Sequence, residues 1–192
     1  MKVLVLSCLC SLAIVSCSKY SAEEYFQRGQ QALEAARHAV DTLTSPQDVR
    51  PLYRPALDAY SHLMTEYPKS PQAEEALFTV ATIQNNDLHE PAEAITYFKK
   101  YVDLYPDGSH AHVAMFLIGF LYNNDLHDTA QAAPAYRRFL EKYPRDEMAL
   151  SAQMELNTLG KSPDELIQKQ VAAAPPPKKE KAAAPSPKSR KK

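Results

Sequence analysis

The chain has no tryptophan, only four glycines, and three cysteines that all fall within its first 17 residues. Each scarcity excludes something. Glycines at 29, 108, 119 and 160 cannot form a GxGxxG or GxxxxGK[ST] loop, so the phosphate-cradling turns of nucleotide-binding folds are missing. With no cysteine after Cys17, the rest of the chain has no disulfide framework and no thiolate metal site. The uncharged stretch from Val3 to Ser16 is 14 residues long, short of the roughly 20 that a membrane-spanning helix needs.

What the chain has is repetition. Tyr-Pro pairs stand at Tyr67-Pro68, Tyr105-Pro106 and Tyr143-Pro144, 38 residues apart both times. The pentapeptide NNDLH occupies Asn85 to His89 and returns at Asn123 to His127 with the same period. Ahead of each Tyr-Pro runs one frame: Ala56, Tyr60, Leu63; then Ala94, Phe98, Tyr101; then Ala132, Tyr136, Phe139. Offsets of 0, 4 and 7 share one helix face. The small alanine lets a neighbouring helix approach, the larger residues fill the space beyond it, and the proline stops the helix. A second helical period precedes each frame, as in Ala111, Ala114, Met115, Ile118, Gly119 and Tyr122. One such helix pair cannot bury its apolar stripe alone, whereas stacked pairs can.

The pattern predicts a helix over Ser21 to Val40, opened by a Ser21/Glu24 capping box, as the first half of an incomplete leading repeat. Asp41 to Pro51 reads as a loop and Arg54 to Tyr67 as the partner helix. Ser70 to Gln84 and Gly108 to Tyr122 are the next first helices, and Met148 to Leu159 is the last, stopping at Gly160. NNDLH reads as a turn. Pro134 falls inside the third second helix and predicts a late start or a kink there. Ser162 to about Val171 is expected to cap the array.

The two ends differ from the middle. Residues 172–192 are mostly Ala, Pro and Lys, with seven positive charges and one glutamate, a composition expected to be disordered. From Ser18 to Gln170 there are 14 Lys and Arg against 22 Asp and Glu, so the repeat region is acidic and the tail basic. At the other end, Lys2 and the apolar stretch suit a secretory signal peptide over residues 1–16. Its close, Ile14-Val-Ser-Cys17, resembles a bacterial lipobox. That resemblance implies cleavage before Cys17, a diacylglycerol on its thiol and a further acyl chain such as palmitate on its amine. Two or more chains anchor stably. Ser18, which is not Asp, resembles an outer-membrane address. Residues 17–20 then link the lipid to a repeat domain over residues 21–171.

Little else suggests chemistry. His110 and His112 form an HxH, and His89 and His127 recur beside Asp87 and Asp125. The latter copies lie one repeat apart and read as turn residues, since a metal needs converging ligands. Glu74 and Glu75 read as a solvated first turn. No catalysis, cofactor, metal or nucleic-acid partner is expected.

The A-x3-F…P spacing of the second helix resembles a tetratricopeptide repeat (TPR), with Met115, Ile118, Gly119 and Tyr122 where that family has W-x2-L-G-x2-Y. The period of 38 exceeds the family's roughly 34, with the surplus expected in the turns. The resemblance implies an all-α, right-handed solenoid of helix pairs whose first helices line a concave groove. Around Gly119 the groove residues are Val113, Phe116, Phe120 and Asn123; one repeat earlier they are Glu75, Phe78, Thr82 and Asn85. One repeat later they are Ser151, Met154, Thr158 and Lys161. An apolar floor of Phe78, Phe116, Phe120 and Met154, flanked by Asn85 and Asn123, suits an extended or helical peptide.

A lipobox followed by such repeats resembles the BamD/YfiO group of outer-membrane lipoproteins, with the CpoB/YbgF group sharing the repeat type. The first resemblance implies a lipid-anchored scaffold, on the periplasmic face of the outer membrane, that docks another envelope protein. The second implies a division or cell-wall adaptor whose basic tail binds an anionic wall polymer.

Overall fold

The computed structural model describes residues 20–43, 48–161 and 165. The signal peptide, Cys17 and nearly all of the linker lie outside the described residues, as do the capping segment after Lys161 (Glu165 apart) and the basic tail. Among the described residues there are seven α-helices and no strand. They are α1 (Ala22–Asp41), α2 (Arg50–Glu66), α3 (Pro71–Thr82), α4 (Pro91–Leu104), α5 (Ala111–Asn124), α6 (Thr129–Lys142) and α7 (Ala149–Thr158). A π-helical segment, Ile83–Asp87, extends α3. Each helix packs on the next in order, so the architecture is an α-solenoid of helix pairs.

The repeated frame is the spine of the core. Ala56, Tyr60, Leu63, Ala94, Phe98, Tyr101, Ala132, Tyr136 and Phe139 are all fully buried. The aromatic rings of the second helices press against small residues on the first. A Cβ on Gly29 would stand 2.5 Å from the Tyr60 ring, and one on Gly119 would stand 2.8 Å from the Tyr136 ring. In the middle repeat the corresponding residues are Ala81 and Phe98. The pairing of Gly29 with Tyr60 shows that α1 and α2 form a full repeat, not an incomplete one. Gly29 and Tyr60 are 31 residues apart in sequence, whereas Gly119 and Tyr136 are 17 apart, because the first connection and its flanking helices are longer.

The Tyr-Pro pairs end the helices as expected. Proline disfavours the α region for the residue before it. Tyr67, Tyr105 and Tyr143 accordingly leave the helix at ψ of 53°, 63° and 56°. Their hydroxyls also stitch the array together. Tyr105 donates to the Pro68 carbonyl at 3.2 Å and Tyr143 to the Pro106 carbonyl at 3.4 Å, each reaching back one repeat. Tyr67 donates to the Tyr20 carbonyl at 2.9 Å and ties the residue ahead of the α1 cap to the end of α2.

Three boundaries differ from the sequence reading. First, α2 begins at Arg50, because Pro51 fits the first helical turn, where its missing N–H costs nothing. Second, Pro134 does not delay α6, which starts at Thr129 with the Asp128 side chain accepting from Gln131 N at 3.0 Å. Third, NNDLH is mostly helical. Asn85, Asn86 and Asp87 belong to the π-helical segment, and Asn123 and Asn124 to α5. The chain leaves the helix after Asp87 in the first copy and after Asn124 in the second. Leu88 N reaches the Ile83 carbonyl and Leu126 N the Leu121 carbonyl, both at 3.0 Å. His89 and His127 then adopt positive φ of 55° and 52°. The recurring pentapeptide thus encodes a wide helix end with a left-handed histidine.

The repeats are further locked by half-buried acceptors. Asp87 takes two bonds from Arg37 at 3.0 Å and one from the Tyr53 hydroxyl at 3.1 Å, joining α1 and α2 to the end of α3. Glu74 Oε1 accepts from the Tyr101 hydroxyl at 2.6 Å and from Ser109 N at 3.0 Å. The Tyr101 bond and the Ser109 bonds hold the Glu74 carboxyl below its usual range, while burial and Glu74 push the Tyr101 phenol up to about 12. A depressed folded pKa stabilises above the unfolded value and is lost as pH falls through the folded one. Glu74→Ala is therefore expected to cost about 1 kcal/mol at neutral pH. Thermal melts should show that difference shrinking in acid, below the folded pKa of Glu74.

Candidate functional site

The first helices, α1, α3, α5 and α7, are joined side by side through polar side chains. Gln72 of α3 donates to Glu23 of α1 at 3.1 Å. His110, at the start of α5, bonds Glu75 of α3 at 2.8 Å. Asn123 of α5 donates to Glu155 of α7 at 2.9 Å. These links draw the first helices into one continuous face.

Along that face runs a row of rings. Phe26, Phe78 and Phe116 are half-buried, and each tilts against the aromatic that fills its own repeat. The centroid distances are 6.0 Å to Tyr60, 5.7 Å to Phe98 and 5.9 Å to Tyr136. Phe78 and Phe116 therefore flank the core on one side and stay partly exposed on the other. Phe120 stacks on Phe116 at 6.3 Å and stays 36% exposed. Met154, one repeat on from Phe116, is 60% exposed, and Leu150 of the same helix is 72% exposed.

The remaining groove residues are placed as follows. Val113, Thr82 and Thr158 are half-buried, and Ser151 and Lys161 are exposed. Asn85 donates to its neighbour Asn86 at 2.7 Å, and Asn123 is held by Glu155, so both amides already have partners. Glu75 is 44% exposed at its side chain and paired with His110, whose ring lies flat on Phe78 at 4.2 Å.

Phe26 and Glu23 of α1 complete the face, and the sequence reading missed them. The signal was Gly29, which stands to Tyr60 as Gly119 stands to Tyr136. Phe26 precedes Gly29 by three residues, as Phe116 precedes Gly119. The long first connection hid that register.

The histidines do not converge. His112 meets Tyr143 edge-on at 6.1 Å, and His89 and His127 occupy turns. Among the described residues no group of three His, Cys, Asp or Glu could hold a metal ion. Also among these residues, no helix is long and apolar enough to cross a membrane. A cavity of about 260 Å³ lies beside Pro134, lined by Lys99, Met115, Ile118, Tyr122 and Arg138. Lys99 already donates to the Tyr122 hydroxyl there at 2.8 Å.

A family model described as tetratricopeptide repeat matches residues 75–108 and 113–146. Those two segments are similar to tetratricopeptide repeats. The matched segments are the second and third helix pairs, and the packing of Gly29 on Tyr60 makes α1 and α2 a further pair of the same build. TPR arrays serve as protein-interaction scaffolds. No curated protein matches the chain.

Proposed function

We propose that the chain is a lipid-anchored scaffold of the bacterial envelope, with acyl chains on Cys17 and a partner protein's segment held on the face of the first helices. The observation that carries the binding half is Phe120. It is a large aromatic left 36% exposed beside Phe116, on a TPR face whose floor is one ring per repeat. Val113, Phe78, Met154, Asn85 and Asn123 surround the same track. No enzymatic step is assigned to it, and no cofactor.

The anchoring half rests on the lipobox-like Ile14 to Cys17. Tyr20 is already fixed by Tyr67, so no more than about 11 Å of chain separates the lipid from the first repeat. A scaffold so tethered lies against the periplasmic face of the outer membrane, as in BamD-type proteins, and docks an envelope protein there. The basic tail supports a second reading, a CpoB-like adaptor whose seven cations bind an anionic wall polymer. Copurification with an outer-membrane barrel favours the first reading, and sedimentation with purified peptidoglycan favours the second. For the anchor, Cys17→Ala is expected to leave the protein unprocessed or release it to the soluble fraction. Cleaved Cys17→Ala protein that still fractionates with membranes sinks the lipid reading.

A further inference from the structure

We propose that the first-helix face selects a basic segment of its partner, an extended strand with an apolar side chain at about every third residue and Lys or Arg between. This rests on the partner-binding reading above and adds its chemistry. The charge of the solenoid is split between its two layers. The four first helices and the π-helical segment carry eight Asp and Glu against two Arg. The three second helices carry five acids against seven Lys and Arg. Both arginines of the first layer are engaged. Arg37 is clamped on Asp87, and Arg28 lies over the Tyr20 ring at 4.2 Å. Glu23, Glu75 and Glu155 thus lie along the row of rings, and the one cation among the groove residues named above, Lys161 past the end of α7, bonds the Asn157 carbonyl.

A second, independent feature points at a ligand. The Tyr60 and Tyr136 hydroxyls are fully buried and have no hydrogen-bond partner. Both rings start on second helices and pass the glycines of α1 and α5 toward the face. The charged groups nearest the Tyr60 hydroxyl, Arg37 first and then Glu75 and Glu34, sit on α1 and α3, and the one nearest Tyr136 is Glu155 of α7. Both rings therefore reach into the first-helix layer, next to the tilted rings of Phe26 and Phe116. A buried hydroxyl without a partner is costly. A phenol oxygen there can accept from an ammonium or guanidinium that slips past the phenylalanine. Packed helices lie about 8–10 Å apart, and an extended strand covers that distance in about three residues at roughly 3.3 Å each. One apolar residue per triplet therefore keeps step with the rings.

The test uses the full chain and labelled peptides followed by fluorescence anisotropy. The probes are repeated Leu-Lys-Ser, repeated Leu-Glu-Ser, and this chain's own residues 172–192. The expected result is that Leu-Lys-Ser binds at least about tenfold tighter than Leu-Glu-Ser. Added salt should weaken it, and the Glu75→Gln/Glu155→Gln double variant should lose most of the preference. Both substitutions keep an acceptor for His110 and Asn123, and circular dichroism checks that the helices persist. Equal or tighter binding of Leu-Glu-Ser overturns the charge preference. If that binding still falls in Phe120→Ala, the face remains the binding site. If no probe responds to Phe120→Ala, the binding reading falls with it. Binding of the 172–192 peptide as tight as Leu-Lys-Ser, and lost in the double variant, makes the occupant this chain's own tail and overturns the partner proposal.

Discussion

Phe139→Ala is expected to destabilise the protein by about 3–5 kcal/mol, and Phe120→Ala by about 1 kcal/mol or less. The two residues are both phenylalanines of the third repeat, on α6 and α5. Phe139 is fully buried, touching Phe116 at 5.7 Å and Tyr143 at 5.7 Å between ring centroids. Its removal leaves a cavity that the surrounding rings cannot fill. Phe120 has solvent on more than a third of its surface and loses mainly its stacking on Phe116. In thermal melts the first change should lower the midpoint by about 10 °C, and the second by a few degrees at most. A large drop for Phe120→Ala would make it a core residue and remove it from the binding face.

Gly119→Ala is expected to cost about 2 kcal/mol, even though alanine in a helix interior gains up to about 1 kcal/mol over glycine. The added Cβ would stand 2.8 to 3.1 Å from three atoms of the Tyr136 ring, and that ring is fully buried with nowhere to retreat. The middle repeat accommodates a Cβ at the same place. There the same two places hold Ala81 and Phe98, both fully buried. Tyr136→Phe added to Gly119→Ala recreates that pair and discards a hydroxyl that has no partner. The double variant should recover at least about half of the loss, a coupling expected for residues in contact. Urea unfolding of the four members of the cycle measures it. Strict additivity would mean that the glycine is needed for something other than room for the ring.

These effects also mark what the sequence made legible. The second helices could be read because alanine and the aromatics recur at offsets 0, 4 and 7, and because proline forces the preceding tyrosine out of the helix. The burial of all nine frame residues follows from that pattern alone. Counting around Gly119 picked out Phe78, Phe116, Phe120 and Met154, of which the first two are half-buried and the last two exposed. It missed Phe26, because the first connection shifts Gly29 away from Tyr60 and breaks the 38-residue count. Of the two outcomes expected at Pro134, the late start of α6 does not occur. Asp128 caps α6 well ahead of it, so one lost backbone bond in mid-helix is tolerated. Glu74 read as part of a solvated first turn and Asp87 as a turn residue, but both are half-buried acceptors, missed because their partners Tyr101, Ser109, Arg37 and Tyr53 are 27 to 50 residues away in sequence. NNDLH had the composition of a turn, yet its first three residues still complete helix hydrogen bonds.

The account turns on which face of the solenoid meets a partner. Site-specific photo-crosslinking in the native cell tests this directly, with a photoreactive phenylalanine placed at Phe120 on α5 or at the exposed Lys100 on α4. The expected result is a discrete crosslinked protein band from position 120 and none from position 100. A band from position 100 alone would put the partner on the second helices and contradict the account.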